Sequence, residues 1–557
     1  LMDCFVAPCK EGCPIHQDIT TYLQLVGEEK YEEAMEVITE KNPLPFITGT
    51  ICAHNCMSKC TRNFYETPVH IREMKLKAAE NGYEALLEKL PVPAVTKAGK
   101  AAVIGGGPAG MAAAYFLRKG GMEVTLFEAK ESLGGVVRHV IPPFRISEDA
   151  IEKDAEILRK MQVDIHCNTK LESLEELKKQ GYTKIVLAVG APVQGSLKLE
   201  SGMPKNALEF LAEFKQTDGK VSLGKHVVVI GGGNTAMDTA RAAKRNAGVE
   251  HVYLIYRRTR RYMPADEEEL VMALEDGVEF KELLSPVKLE NGQLFCKVMQ
   301  LSDYDVSGRR GVTETGETVW VPADTVIAAV GEKVPTDWYQ ANGLAVSEKG
   351  RLYVDEKTLK TSDDNVYAAG DGLYGPATVV EAIRDGRKVA EAIAGEVLAC
   401  DFDKLAEEEK VYAKRGVLKE EQKETKEAGR CLGCSTICEN CVEVCPNRAN
   451  IAIQVPGMEK HQIIHVDYLC NECGNCKSFC PYSSAPYLDK FTLFETEADM
   501  ENSKNQGFAV LDQETRRCKV RFFGKTFIWE PEKPAALPDG LGRMIETVCR
   551  DYSYLIR

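Results

Sequence analysis

Two glycine-rich turns, each set between a short apolar strand and a helix, constrain this chain more than any other feature. Ala101-Ala-Val-Ile104 runs into Gly105-Gly-Gly107-Pro-Ala-Gly110, and His226-Val-Val-Val-Ile230 runs into Gly231-Gly-Gly233-Asn-Thr-Ala236. In this setting the first Gly permits a tight turn and the second lets the backbone approach a pyrophosphate. The third lets helix pack on strand, and the helix N-terminus then faces the phosphate charge. Ala236 in the third position is compatible with the same fingerprint. Two such starts call for two nested dinucleotide-binding units between residues 100 and 400.

In the first unit, Glu128 follows the next strand, where it can accept hydrogen bonds from a ribose diol. Gly134-Gly135 closes a turn just after it. Far downstream, Val366-Tyr-Ala-Ala-Gly370-Asp371 ends a strand in a carboxylate suited to a ribityl chain, and the helix after Thr378 carries Glu381 and Ala382 toward a flavin ring. These features point to FAD, held by Gly105, Gly107, Pro108, Ala109, Gly110, Glu128, Gly134, Gly135, Gly190, Gly370, Asp371, Glu381 and Ala382.

The second unit has Arg257-Arg258 at the tip of its second strand, where a site that prefers NAD carries an acid. A guanidinium holds a 2′-phosphate through two parallel hydrogen bonds, so NADPH is expected over NADH. The alternative is that these arginines, with Arg260 and Arg261, form a solvated ion-paired face with Asp266–Glu269. The expected NADPH residues are Gly231, Gly233, Asn234, Thr235, Ala236, Arg257, Arg258 and Gly331. Gly190 and Gly331 each end a strand and mark the crossings by which the second unit is inserted in the first.

Flavin-dependent disulfide reductases place a Cys pair after the first acidic residue. Residues 126–159 contain no Cys, so electrons need another way off the flavin. The chain has 20 cysteines. In a long chain without a signal segment, clustered Cys read as metal ligands rather than disulfides. Cys470-x2-Cys473-x2-Cys476-x3-Cys480-Pro481 is the run of a bacterial two-cluster ferredoxin, and Cys434-x3-Cys438-x2-Cys441-x3-Cys445-Pro446 is its partner half. In such runs the fourth Cys crosses to the other cluster. Cys434, Cys438, Cys441 and Cys480 then hold one [4Fe–4S] cluster, and Cys445, Cys470, Cys473 and Cys476 the other. Two zinc sites are the alternative. Cys431 is left over. A third set is Cys4-x4-Cys9-x3-Cys13-Pro14 with Cys52-x3-Cys56-x3-Cys60.

The net charge of −14 argues against a nucleic-acid partner. No apolar run approaches the roughly 18–20 residues that cross a bilayer, and a cytoplasmic location is expected. The chain begins at Leu1, as part of a longer polypeptide would.

The N-terminal cysteines and the units after them resemble the glutamate synthase small subunit and the N-terminal portion of dihydropyrimidine dehydrogenase. Supporting stretches are Gly134-Gly-Val-Val-Arg-His-Val-Ile-Pro-Pro-Phe-Arg145, Gly231–Asp238 and Tyr256-Arg-Arg258 through Met263-Pro264. With Arg430-Cys-Leu-Gly-Cys434 and the ferredoxin run appended, the chain is most similar to the selenate reductase iron–sulfur subunit family. The resemblance adds Arg145 to the FAD cradle. It implies that Cys4, Cys9 and Cys52 share one N-terminal [4Fe–4S] cluster, and Cys13, Cys56 and Cys60 a second. The remaining ligand of the first falls at Leu1 and that of the second near Lys75, neither able to ligate iron in the usual way.

The expected architecture is multidomain α/β. A helical iron–sulfur domain covers 1–95 and an FAD domain 96–224 with 346–400. An NAD(P)H domain covers 225–345, a linker helix 401–430 and a ferredoxin-like module 431–490. The tail 491–557 has no assigned role. The expected function is transfer of electrons from NADPH through FAD to [4Fe–4S] clusters, or the reverse. A partner subunit, upstream domain or ferredoxin would hold the far end. A relay or bifurcating subunit, for which NAD(P)H is not the main donor, is the alternative.

Overall fold

Two parallel sheets lie one inside the other in sequence. The outer is five-stranded, in the order Val366–Ala368, Tyr182–Leu187, Lys100–Ile104, Glu123–Phe127 and Asp164–His166. Lys100–Ile104 is buried at every residue after Lys100, as a strand covered on both faces must be, which is why it reads as a continuous apolar run. The helix Val379–Ala394 packs on the helix Pro108–Lys119 at Gly386, where a Cβ would come within 2.6 Å of the Ala109 carbonyl oxygen.

The inner sheet runs Lys205–Asn206, Thr325–Ala328, His226–Ile230, His251–Tyr256 and Glu279–Glu282, all parallel. A three-stranded antiparallel sheet, Leu284–Glu290, Gln293–Tyr304 and Arg310–Pro322, precedes its return strand. The two crossings pair with each other, Val193–Gln194 antiparallel to Glu332–Lys333.

The insert is therefore bounded differently from the expected 225–345. The helix Ala207–Gln216 buries Phe210, Leu211 and Phe214 in the inner sheet's core with Val227 and Val229. The helix Thr336–Ala341 belongs with the outer sheet, because the Tyr339 hydroxyl donates to the Gly372 carbonyl at 2.8 Å.

The computed structural model describes residues 6–304, 310–402, 404, 406–422, 425–436, 438–458, 460–482, 484–532 and 537–557. The nested sheets belong to one unit, residues 38–53 with 75–400; the other comprises residues 1–37, 54–74 and 401–557. The segment expected to be helical carries the helices Ile19–Gly27, Tyr31–Lys41 and Ile71–Lys89. They are divided between the two units. Residues 38–53 and 75–89 go with the nested sheets, where Phe46 meets Tyr83 edge-on and the Tyr83 hydroxyl donates to the Lys153 carbonyl.

In the other unit a six-stranded sheet runs Asn450–Ile453, Gln462–Val466, Phe491–Phe494, Gly507–Asp512, Arg517–Phe522 and Lys525–Trp529. The helix Asp539–Asp551 buries Leu541, Ile545 and Val548 against Ile464, Phe491, Phe508 and Val520. Residues 491–557 thus complete the ferredoxin-like module's sheet. Nor is 401–430 a linker helix. Among its described residues only Glu408–Lys414 is α-helical, and the segment is tied down by backbone bonds: the Lys419 amide donates to Glu66 and the Val417 carbonyl accepts from Arg62.

Candidate functional site

The first glycine turn is built as a cradle. Gly105 has φ +106°, and a Cβ at Gly110 would lie 1.8 Å from the Gly105 carbonyl oxygen, so neither position tolerates a side chain. A Cβ at Gly107, by contrast, would meet nothing closer than 3.8 Å, which leaves the turn open for a phosphate. The Glu128 carboxylate is buried behind it, accepting from the Gly106 amide at 2.6 Å and the Lys130 amide at 2.8 Å. The Gly134 amide donates to the Gly106 carbonyl at 2.8 Å, and a Cβ at Gly135 would stand 2.8 Å from the Gly107 Cα. Pro108 and Ala109 open the helix whose N-terminus faces this loop.

Gly370, at φ +72°, brings the end of the Val366–Ala368 strand against Ala109, where a Cβ would approach to 2.7 Å. Its amide donates to Asp385 at 3.3 Å. Asp371 accepts from the Ala377 amide at 3.0 Å, and burial, with Glu381, Asp385 and Glu332 adding like charge, pushes its carboxyl up to about 6. Glu381 closes a capping box with Thr378, so it fixes the helix start beside Ala382. Gly190, at φ +68°, has open space around it. The structure brings these residues together around the first turn, with one departure. Arg145 departs from it: its guanidinium pairs with Asp238 at 2.6 Å and with Glu269, both on helices of the inserted unit. Asp385 and Gly386 were missed by the sequence reading. The small residue one turn after Glu381 was the signal available for them.

In the second turn a Cβ at Gly233 would meet nothing within 4 Å, and one at Gly231 would lie 2.5 Å from the Ala329 carbonyl oxygen and 3.0 Å from the Ala236 Cβ. Asn234 is engaged with the loop before the Glu267–Glu275 helix, donating to Asp266 at 3.2 Å and accepting from its amide at 3.0 Å. Thr235 offers its carbonyl to Thr239 inside the helix. Gly331, at φ +94°, is open. The two arginines divide. Arg257 is exposed at the strand tip, whereas Arg258 is buried with Nε donating to the Arg310 carbonyl at 2.7 Å. Arg260 pairs with Glu267 at 2.9 Å, so part of the ion-paired face is present as well.

Cys445, Cys470, Cys473 and Cys476 line one pocket with Asn450 and Tyr487. This is the ligand set that the ferredoxin spacing predicts. The Ala449 amide points at Cys445 Sγ at 3.2 Å and the Glu472 amide at Cys470 Sγ at 3.3 Å. Burial raises the Cys470 thiol, and Cys445 and Cys476 raise it further. Four thiols around one pocket, two of them met by amide donors, fit a four-thiolate cluster. Among the described residues no three Cys, His, Asp or Glu converge to hold a single metal ion. Cys441 packs with Cys476 and Ile463 in a small core. Cys434 and Cys438 are buried, and Phe479, next to Cys480, packs edge-on against Phe64.

A local motif recurs three times. His54, Glu439 and Gly474 each take a left-handed conformation and start a one-turn helix at Asn55, Asn440 and Asn475, with Cys at its second residue. The repeat Asn-Cys-x3-Cys in all three places, Cys56/Cys60, Cys441/Cys445 and Cys476/Cys480, is a sequence signal that the reading above passed over.

The N-terminal thiols fall as follows. Cys4 lies outside the described residues. Cys52 caps the helix Pro45–Ile51 and Lys75 is buried with its charge bearing on Asp154, both in the unit of the nested sheets. Cys9, Cys13, Cys56 and Cys60 are in the other unit, where the Cys9 helix Pro8–Glu11 packs on Asn55–Ser58. Burial holds the Cys9 thiol well above its ordinary value, and Cys431, Cys434, Cys60 and Cys56, in that order, raise it further. Burial likewise pushes Cys434 up to about 12, opposed by its contact with Thr61 and reinforced by Cys431, Cys60 and Cys438. Arg62, fully buried, leaves Nη2 without a hydrogen-bond partner among the described residues, and its charge partly offsets the burial that raises the Cys431 thiol. A buried, partly unpartnered cation beside Cys431 fits an anionic iron–sulfur group.

Residues 99–386 match the family model described as pyridine nucleotide-disulphide oxidoreductase, and residues 1–85 match dihydropyrimidine dehydrogenase domain II, 4Fe-4S cluster. The oxidoreductase YgfK of Escherichia coli (strain K12) is 40% identical over 542 residues, 94% of this chain and 52% of that protein. The chain thus spans about half the length of that relative. The NADPH-Fe(3+) oxidoreductase subunit beta of Geobacter sulfurreducens (strain DL-1 / KN400) is 34% identical over 433 residues, 70% of this chain and 64% of that one. The glutamate synthase [NADPH] small chain of Azospirillum brasilense is 33% identical over 420 residues, 70% of this chain and 86% of that one. Two of these relatives are by name parts of larger enzymes. Among the described residues no helix is long and apolar enough to cross a membrane. The nested glycine cradles, and the matches that cover them, make this chain a member of the pyridine nucleotide-disulphide oxidoreductase family, extended by a 4Fe-4S domain of the dihydropyrimidine dehydrogenase kind.

Proposed function

We propose that the chain passes reducing equivalents from NADPH to a catalytic partner, with FAD and [4Fe–4S] clusters as its resident carriers. The observation that carries this reading is the presence, in one chain, of two open nucleotide cradles and a four-thiol pocket, with no Cys pair after Glu128. FAD supplies the exchange between two-electron and one-electron chemistry, and the clusters supply one-electron transfer. The chain's own residues bind and orient. The amides at the start of the Pro108–Lys119 helix offer donors to a pyrophosphate, and Glu128 stiffens the loop beneath them. Asp371 and the capped start of Val379–Ala394 close the far side of the cradle. In the inserted unit the open backbone at Gly233 receives the second pyrophosphate, and Arg257, exposed at the strand tip, is the guanidinium free to meet a 2′-phosphate. Arg258 is turned instead to the Arg310 carbonyl.

Anaerobic NADPH is expected to bleach the flavin absorbance of the whole chain within the mixing time of a stopped-flow experiment. Charge-assisted hydrogen bonds contribute roughly 1.5–3 kcal/mol each. Arg257→Glu is therefore expected to raise the NADPH concentration needed by about tenfold or more, with a smaller effect on NADH. A flavin that stays oxidised under NADPH would leave the relay reading in its place.

A further inference from the structure

We infer that Cys431, which the ferredoxin spacing leaves over, is an iron ligand of the N-terminal site, joining Cys9 and Cys60 across about 370 residues of sequence. The inference rests on the electron-transfer reading above and names a ligand within it.

The geometry joins two short segments of one unit, Cys60–Arg62 and Arg430–Cys434. Arg62 Nε donates to the Arg430 carbonyl at 2.6 Å. Thr61 Oγ1 and Cys434 Sγ stand 3.1 Å apart. Arg430, itself 1% exposed, reaches back to the chain that follows Cys60, donating to the Thr67 carbonyl at 2.7 Å and to Glu66 at 2.9 Å. Cys431 is held between these anchors: Lys414 Nζ donates to its carbonyl at 3.2 Å and the Gly433 amide points at its Sγ at 3.5 Å. Two buried arginines thus fix the backbone at Arg430, directly before the thiol, and Lys414 holds the carbonyl of Cys431 itself. A surface cysteine of no function has no need of such anchoring.

Chemistry supports the same assignment. The helix Pro8–Glu11, which carries Cys9, packs on Asn55–Ser58, the turn that leads into Cys60. The position from which the resemblance draws the first cluster's remaining ligand is Leu1, which has no donor atom. The resemblance places Cys60 with Cys13 and Cys56; Cys60 also directly precedes Thr61, whose hydroxyl stands 3.1 Å from Cys434 Sγ. On ligation the Cys431 thiol loses its proton to solvent as the iron–sulfur bond forms. The Gly433 amide aimed at the sulfur is placed to donate to the bound thiolate. Cys434 remains with Cys438 in the ferredoxin-like set, so the chain segment Cys431–Cys438 links the two kinds of site.

The test uses the full chain, reconstituted anaerobically with iron and sulfide. Cys431→Ala is expected to hold about four fewer irons than the unsubstituted chain, the content of one [4Fe–4S] cluster. One reduced-cluster signal in the electron paramagnetic resonance spectrum is expected to disappear while the others persist. A small thiol added during reconstitution is expected to restore both, because it can supply the missing thiolate. Cys400→Ala, at an exposed isolated thiol, is expected to change neither. Unchanged iron and spectrum in Cys431→Ala would overturn the inference, and so would a loss that the thiol does not repair. An unsubstituted chain that takes up flavin but no iron would instead overturn the electron-transfer reading.

Discussion

Asp371 shows how a single carboxyl can tie stability to the cofactor site. Its pKa is raised to about 6, chiefly by burial. A raised carboxyl pKa means that the folded chain binds the proton more tightly than the unfolded one. Stability from this group is complete below the ordinary value near 4 and is lost as pH rises through about 6. Asp371→Asn keeps an acceptor for the Ala377 amide and removes the titration. Thermal scans from pH 4 to 8 are expected to show the variant more stable at pH 8, by at most about 3 kcal/mol for a shift of about two units, with the advantage vanishing toward pH 4. The glycines of both turns were legible in the sequence, because φ +106° at Gly105 and the 1.8 Å approach at Gly110 leave no other residue possible. Arg145 and Arg258 were not legible. Their partners, Asp238, Glu269 and the Arg310 carbonyl, come from elements far along the chain. The four pocket thiols were legible from spacing alone, whereas the surroundings of Cys431 depend on where residues 60–67 pass, which no spacing reports.

Among the elements, the helix Pro45–Ile51 is the most dependent on its context. Its N-cap residue, Leu44, offers no side-chain acceptor. Asp154, from the helix Glu148–Lys160, takes that role, accepting from the Phe46 amide at 3.1 Å and the Ile47 amide at 2.8 Å while fully buried. Burial dominates and drives its carboxyl well above the ordinary range. Asp154→Ala leaves two buried amides without partners and is expected to cost about 2–4 kcal/mol, at roughly 1–3 kcal/mol for each unsatisfied group. Asp154→Asn, which keeps one acceptor oxygen, is expected to cost less. Urea unfolding monitored by circular dichroism measures both. The helix leads directly into Cys52, so the alanine variant is also expected to loosen that thiol's backbone. The three one-turn helices that carry Cys56, Cys441 and Cys476 illustrate the opposite case. Each is set by a local left-handed residue before Asn, and each could have been found from sequence by comparing the three places.

For the molecule as a whole, the structure groups residues across the boundaries of the expected list of domains. Residues 491–557 looked like a tail because strands such as Lys525–Trp529 carry no motif, yet they supply four of the six strands of the sheet that begins at Asn450. Ending the chain after Lys490 would strip Phe491, Phe508 and Val520 from Ile464 and expose that face to water. Such a truncation is expected to be insoluble or to bind no iron in the Cys445 pocket, measured by the soluble fraction and by iron content. The nested sheets bear on ancestry in a different way. Both crossings run together as one ribbon, Val193–Gln194 with Glu332–Lys333, and the host strands on either side, Tyr182–Leu187 and Val366–Ala368, are neighbours in their own sheet. The inserted unit therefore enters and leaves at a single place. It is a cassette: a single recombination event could add or remove it, and the host sheet would keep its strand order throughout.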